Sequence, residues 1–418
     1  MSNATITRVR GTEDFLDLRL ANFVMNQVKT HLQNYNFSEI QTPILEHTKL
    51  FVHALGNETD VVSKEMYTFQ TSGEDSICLR PEATASIIRA CFENRIDQFP
   101  WKVFLYGPMF RHERPQKGRW RQFSQISIEV IGSNSIAQDA HFIKMLDTLY
   151  TDILKLENYV IKLNFLGCSD DRKEHKKALV AFLDSVAGQI CDTCKIRKDK
   201  NTLRVFDCKN EHDKELYTKA PKLTDYLCKT CQQEWHDLTT MLSMLSVSYL
   251  IDPMLVRGLD YYNKTVFEFS SRELGAQNAF CGGGRYNLGK EVGAKEDFPS
   301  IGVGIGIGRL LMLVETVQNK LIIPHDPPLH VIIPFTQEQH SLALLLASDL
   351  QNNHICVDLL VEGTSLSSMM KKANKMGAKH ALLLGPDEQA NGTVAIKNMM
   401  TGASETIKQA HAVKYLRQ

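Results

Sequence analysis

Phe110-Arg111-His112-Glu113-Arg114-Pro115-Gln116-Lys117-Gly118-Arg119-Trp120-Arg121-Gln122-Phe123-Ser124-Gln125 reads as two strands joined by a loop loaded with cations. The second strand alternates from Arg121 to Glu129. Gln122, Ser124, Ile126, Ile128 and Val130 form one face, which turns apolar as it proceeds. Arg121, Phe123, Gln125, Ser127 and Glu129 form the other, because side chains of a strand alternate between faces. A guanidinium, an aromatic ring, an amide and a carboxylate make a poor core and a good floor for a charged, partly aromatic ligand. By the same parity Arg111 and Glu113 share a face, with Arg119 and Arg121 just across the loop. Guanidiniums gathered at a fold suit phosphate; a charge-paired surface hairpin would carry the same letters.

A second signal lies far downstream. Gly302, Gly304, Gly306 and Gly308 alternate with Ile301, Val303, Ile305 and Ile307. As a strand, this has one packed face and one of bare backbone, on which a flat ring could lie. Arg309 follows at the start of an apolar helix, where a cation opposes the helix dipole unless an anion or a π system faces it. A tightly packed glycine strand with a solvated arginine is the plainer alternative. Arg257-Gly258-Leu259-Asp260-Tyr261-Tyr262 reads as strand-like, with hydroxyls that could hold a small polar substrate or simply sit satisfied in a core.

Around these lie ordinary elements. Residues 13–36 carry Phe15, Leu18, Phe23, Val24, Val28 and Leu32 at helical spacing. Phe37 to Glu46 reads as a strand interrupted by Pro43, which suits an edge or an interface. Pro81-Glu82-Ala83-Thr84 is expected to open a helix with proline in its first turn, and a further helix is expected near 139–156. The segment from about 167 to 248 changes texture: it is rich in Lys, Asp and Cys, helical in pattern, and inserted between residues 1–166 and 249–323 of one core. Pro324, Pro327 and Pro328 mark a linker. Beyond it, alternating strands and helices over 328–418 indicate a separate α/β domain.

The insertion holds Cys191-Asp192-Thr193-Cys194 and Cys228-Lys229-Thr230-Cys231. Two such knuckles suit one tetrahedral zinc held by Cys191, Cys194, Cys228 and Cys231. The gap between them is long, Cys208 is a fifth candidate, and four buried thiols would fit the same letters. No internal repeat is evident.

Bulk composition excludes little else. Forty-eight basic residues balance forty-eight acidic ones, so any nucleic-acid surface is local. No apolar run suits a signal peptide or a membrane span, which makes the expected location cytoplasmic, with no membrane partner. Ten cysteines in 418 residues suit metal binding or burial better than a disulfide scaffold.

Taken together the motifs resemble class II aminoacyl-tRNA synthetases, and within them the histidyl-tRNA synthetase family. The resemblance spans nearly the whole chain. Phe37–Glu46, Phe110–Glu129 and Gly302–Arg309 are similar to the three class motifs. Leu255–Asn263 and Gly282-Gly283-Gly284-Arg285-Tyr286 resemble histidine-specific signatures. The resemblance implies an α+β fold: an antiparallel six-stranded sheet flanked by helices, a helical insertion, and a C-terminal α/β anticodon-binding domain. It implies a homodimer that uses ATP and Mg²⁺ to activate histidine and transfers it to tRNA(His), with the insertion touching the acceptor arm.

By that resemblance Glu82, Thr84 and Gln125 hold the substrate amino group, and Glu129 and Tyr262, with Tyr261, bind the imidazole. Arg111 and Arg257 bind the α-phosphate and the carboxylate. Phe123 and Arg309 sandwich adenine, and Arg119 and Glu113 contact the rest of the nucleotide. Two departures stand out: the family's usual glutamate before the third-motif arginine is Gly308 here, and the segment after Asn287 is short. The rivals are a non-catalytic paralogue that regulates histidine biosynthesis and a zinc-dependent RNA-binding protein. The retained Arg257–Tyr262 motif and C-terminal domain disfavour the first; the joint presence of Gln125, Glu129 and Tyr262 disfavours the second.

Overall fold

The structure, a computed structural model, describes residues 6–73, 75–275, 278–363 and 365–417. The chain divides into two compact units, Met1–Ile323 and Pro324–Gln418.

The first unit is organised by one sheet. Its strands are β1 (Ser38–Glu39), β5 (Trp101–Phe110), β6 (Gln122–Ile131), β7 (Val160–Phe165), β8 (Leu250–Ile251), β9 (Tyr262–Ser270), β10 (Ala279–Asn287) and β11 (Pro299–Gly306). They lie in the order β1-β5-β6-β11-β10-β9-β7-β8. The six middle strands pair antiparallel throughout, and two-residue parallel strands extend each edge. A small second sheet of β2 (Leu45–His47), β3 (Tyr67–Gln70) and β4 (Ser76–Leu79) lies apart from it.

Helices cover the main sheet on both sides, and an apolar cluster packs against each face. On one side Val24, Val28 and Leu32 of α1 (Arg19–Asn34) and Phe142, Ile143 and Leu146 of α4 (Ile136–Thr148) pack with Ile126, Ile128 and Val130. On the other, α2 (Thr48–Leu55) and α3 (Thr84–Glu93) supply Phe51, Ile87 and Ile88 against Val103, Leu105 and Met109.

One ion pair crosses this core. Arg285 in β10 donates to Asp139 in α4 at 3.0 and 2.5 Å, and to the carbonyls of Ser133 and Ser135 at 2.6 and 2.8 Å. Thr265 donates to the same carboxylate at 2.6 Å. Both charges are buried, and their lone pairs and protons are used, the condition under which a buried pair is tolerated.

The insertion runs from β7 to β8 through α5 (Ser169–Ser185), α6 (Asp192–Lys200), a 3₁₀ turn Thr202–Asp207, α7 (Glu211–Tyr217) and α8 (Lys229–Met244). Leu238 and Leu242 of α8 join the main core. Leu179, Leu183, Cys194, Val205, Cys208 and Tyr217 form a core of the insertion's own. α9 (Ile307–Val317) follows β11 directly.

The second unit has a five-stranded sheet ordered β13-β12-β14-β15-β16, from β12 (His330–Pro334), β13 (Val357–Leu359), β14 (His380–Leu384), β15 (Thr393–Asn398) and β16 (Ser404–Lys408). α10 (His340–Asn352) and α11 (Leu366–Lys375) contribute to apolar clusters that also hold its strand residues. α12 (Pro386–Asn391) and β16 were not anticipated. The first is too short to show a period, and the second is a polar, exposed edge strand that reads as loop.

Several expected boundaries move. α1 starts at Arg19, leaving Phe15 and Leu18 exposed, because Asp17 accepts the Arg19 amide at 2.9 Å and supplies an acceptor to the first turn. α3 starts at Thr84 rather than Pro81, because the Glu82 carboxylate accepts the amides of Thr84 and Ala85 at 2.7 and 2.8 Å. Arg111 and Glu113 lie in the loop after β5. The segment from Arg257 to Tyr261 is not a strand. Its neighbourhood is fixed by side chains instead: Asn164 donates to Pro253 and Leu255 carbonyls at 3.2 and 3.0 Å, and Arg204 to that of Gly258 at 2.6 Å.

Candidate active site

One cavity of about 360 Å³ opens over the sheet of the first unit. Its floor comes from β6 and β11, one wall from the loop between β5 and β6, another from the Arg257–Tyr262 segment, and the rest from β10 and the start of α9. Glu82, Thr84, Arg111, Glu113, Arg119, Phe123, Gln125, Arg257, Tyr261, Tyr262 and Arg309 all line it. Glu129 does not: it is fully buried directly beneath, and its oxygens accept from Thr84 and Tyr286 at 2.7 Å each.

The glycine strand explains how Glu129 fits there. Gly302 sits opposite Glu129. A Cβ at Gly302 would lie 1.6 Å from Glu129 Oε2, and one at Gly304 would lie 3.1 Å from Gln125 Nε2. Gly308, in the first turn of α9, faces the Trp120 indole, with 2.5 Å from a Cβ to the ring. The expectation of four bare glycines under a flat ring is therefore corrected. Side chains cover three of them, and only Gly306 has an open face, its nearest neighbour being 3.8 Å away. Trp120 also accounts for Gly308, since it fills the space that a larger residue there would need.

Contacts divide the cavity into two neighbourhoods. The first holds Glu82, Thr84, Gln125 and the tyrosines. Gln125 donates to Ser127 at 2.9 Å. The rings of Tyr261 and Tyr262 lie 4.5 Å apart, and Tyr261 and Tyr286 5.4 Å. Burial pushes the Glu129 carboxyl up to about 8, with the Tyr286 and Thr84 hydrogen bonds opposing the shift. Burial also raises Glu82, opposed by the amides of Ala85 and Thr84.

The second neighbourhood is cationic. Arg111, Arg119, Arg204, Arg257 and Arg309 line the same cavity. Arg111 donates to the Pro81 carbonyl at 2.8 Å and lies 5.5 Å over the Phe123 ring. Arg119 pairs with Glu113. Arg309 donates to the Gly118 and Ala279 carbonyls at 2.9 and 2.5 Å. Arg257 is paired with Glu268 at 2.6 Å. It lies against Gly282, where a Cβ would fall 2.2 Å from its guanidinium. Burial, and then the charges of Arg119 and Arg111, hold Arg309 below its usual basicity. Five guanidiniums that repel one another in a half-enclosed space are an arrangement that anionic ligands stabilise.

Sequence reasoning missed Arg204, which reaches the cavity from the insertion. Its bond to Gly258 spans 54 positions; Asp60 is a partner at 3.6 Å. Nearby, Asn201 donates to Asp260 at 2.7 Å and Lys200 meets Glu58 at 2.7 Å. Nothing in the local spacing of 200–204 signals this docking. Trp120, Glu65 and Asp60 also line the cavity without having been singled out.

The predicted metal site is corrected. The two CxxC pairs do not share a cluster. Cys191 and Cys194 gather with Cys208 and Asp213, and Cys228 and Cys231 with Cys168 and Asp171. All ten cysteines are free of disulfides. Among the described residues, no helix is long and apolar enough to cross a membrane.

With this geometry in view, the similarities to known proteins are specific. Residues 17–310 match the family model described as histidyl-tRNA synthetase, and residues 330–418 match one described as an anticodon binding domain. The chain is 40% identical over 418 residues to the histidine–tRNA ligase of Halothermothrix orenii, covering 98% of each protein. It is 38% identical over 414 residues to that of Clostridioides difficile, again covering 98% of each. The crystal structure of apo histidyl-tRNA synthetase from S. aureus superposes with a TM-score of 0.80 at 32% identity, covering 99% of this chain and 100% of that one.

Proposed function

The chain belongs to the histidyl-tRNA synthetase family and is a histidine–tRNA ligase, and we propose the following division of labour among its cavity residues. Histidine occupies the tyrosine neighbourhood. Glu82, Thr84 and Gln125 receive its amino group. Tyr262 and Glu129 meet the two ring nitrogens, with Tyr261 packing beside them. Glu129 is engaged by Thr84 and Tyr286, yet its carboxyl group has further capacity to offer, an acceptor site on one oxygen and, while protonated, an O–H donor on the other. The buried environment also keeps this group largely uncharged near neutrality, which lets it face an imidazole without a full charge to desolvate.

ATP occupies the arginine neighbourhood. Adenine lies between Phe123 and Arg309, so Arg111 must leave the Phe123 face to reach the α-phosphate. Arg119 and Glu113 take the remaining nucleotide. A histidine carboxylate oxygen attacks the α-phosphorus, the bond to pyrophosphate breaks, and Arg111 and Arg257 stabilise the charge that builds on the phosphoryl oxygens. The terminal ribose hydroxyl of tRNA(His) then attacks the acyl carbon and AMP leaves. Glu65 and Glu113 are hard oxygen donors suited to the Mg²⁺ that accompanies ATP, whose role is to neutralise phosphate charge.

The five-arginine cavity beside a tyrosine- and carboxyl-lined end carries this reading. We further infer a cytoplasmic homodimer, with 324–418 on the anticodon and the insertion on the acceptor arm. The exposed Ile44 and Leu45 after Pro43 support a dimer contact at the first motif. Histidine-dependent ATP–pyrophosphate exchange tests the assignment. Exchange that Arg111→Ala or Arg309→Ala leaves at the parent rate would overturn the placement of ATP.

A further inference from the structure

The insertion builds the same constellation twice. In the first copy, Cys191 precedes α6 and Cys194 lies in its first turn. Cys208 precedes α7 and Asp213 lies in its first turn. In the second copy, Cys228 precedes α8 and Cys231 lies in its first turn. Cys168 and Asp171 stand at the start of α5. In each, the aspartate accepts the backbone amide of the leading cysteine: Asp213 from Cys191 at 3.0 Å and Asp171 from Cys228 at 2.9 Å. In each, three sulfurs and a carboxylate oxygen lie within 4.8 Å of one another.

We propose that the insertion holds two zinc ions, one at Cys191, Cys194, Cys208 and Asp213, the other at Cys168, Asp171, Cys228 and Cys231. The spacing fits zinc and not a cross-link. Cys191 and Cys208 sulfurs are 3.8 Å apart; a disulfide requires about 2.05 Å. Sulfurs at ~2.3 Å from a tetrahedral ion stand about 3.8 Å from each other. Asp213 is buried, and its Oδ1 has no hydrogen-bond partner, an uncommon state for a carboxylate unless a cation completes it. The amide of Asn210 points at the Cys208 sulfur at 3.4 Å, the kind of donor that steadies a metal-bound thiolate. The donor sets, three thiolates and a carboxylate with no open position, suit a structural ion rather than a catalytic one.

The two ions would do different work. The second joins Cys168, where the chain leaves β7, to the start of α8, where it returns to the core. The first fastens α6 to the end of the 3₁₀ turn that carries Arg204 to the cavity wall.

Full-length protein purified without chelators or a metal-binding tag should contain two zinc ions per chain by elemental analysis. Cys194→Ser and Cys231→Ser should each retain one. X-ray absorption at the zinc edge of the parent protein, which does not depend on the variants folding, should show about three sulfurs at ~2.3 Å and one oxygen near ~2.1 Å per ion. One zinc or fewer per chain in the parent would overturn the proposal, as would a four-sulfur shell, which would restore a single site shared by the two CxxC pairs.

Discussion

Along β6 and β11 the polar side chains of the cavity are seated by register, each opposite or diagonal to a glycine that makes room for it. In the insertion the polar groups gather from separate turns, and two thiol clusters replace a ladder. The floor is set by repeated backbone geometry, so one added methyl group is felt through the sheet. The insertion is set by a few point contacts, so it should tolerate change everywhere except at those points.

The largest expected effect lies behind the floor. Asp139→Asn leaves Arg285 buried without a counter-charge, and breaking such a pair typically destabilises by about 3–5 kcal/mol. Equilibrium denaturation should show it; a loss below about 1 kcal/mol would mean that the sheet is not braced through α4. Arg257→Ala comes next. It should cut adenylate formation on the order of 10²–10³-fold while leaving most histidine binding, because the lost charge acts where phosphoryl charge develops. Near-parent pyrophosphate exchange would reduce Arg257 to a partner of Glu268.

Two glycine substitutions sharpen the contrast within one strand. Gly302→Ala drives a methyl into Glu129 and should destabilise by about 1–3 kcal/mol with a raised KM for histidine. Gly306→Ala meets nothing closer than 3.8 Å and should leave thermal stability unchanged. Equal Tm shifts would argue against register as the organising device.

Glu129 adds a pH signature. Its folded pKa is raised to about 8 from 4.5, so between these values the folded state holds a proton that the unfolded state has released. The contribution of Glu129 to stability is therefore fully present below about 4.5 and is lost as pH rises through 8, by at most ~1.4 kcal/mol per pH unit. Denaturation at pH 6 and 8 should show that Glu129→Gln flattens this slope; an unchanged slope would assign it to other groups. The smallest loss is expected in the insertion. Arg204→Ala removes a bond to Gly258 worth about 1 kcal/mol and should raise KM several-fold, whereas an unaltered KM would mean that the insertion docks without shaping the cavity.

These contrasts also explain what could be read in advance. Period two exposed the floor from Phe123 to Glu129, and the alternating glycines exposed the strand beside it, because both are local consequences of strand geometry. Which glycine stays open was hidden, since that depends on side chains reaching across from another strand. The Arg257–Tyr261 segment was misread as a strand because its alternation is incidental: its neighbourhood is held by Asn164 and Arg204 from elsewhere. The CxxC spacing identified thiols but not their partners. Asp171, three residues after Cys168, completes a knuckle that a count of cysteines alone passes over.

Trp120 gives one of these packing details an optical consequence. It lines the cavity with its ring over Gly308, and Arg309, the next residue, lies against Gly118 in the same wall. The chain's other two tryptophans do not line it: Trp101 begins β5, and Trp235 packs on Phe165 at 5.7 Å. A purine arriving beside Arg309 should quench the emission of one indole and leave the others alone. Occupancy by nucleotide can then be followed by light in the unlabelled enzyme, and Trp120→Phe would silence the signal.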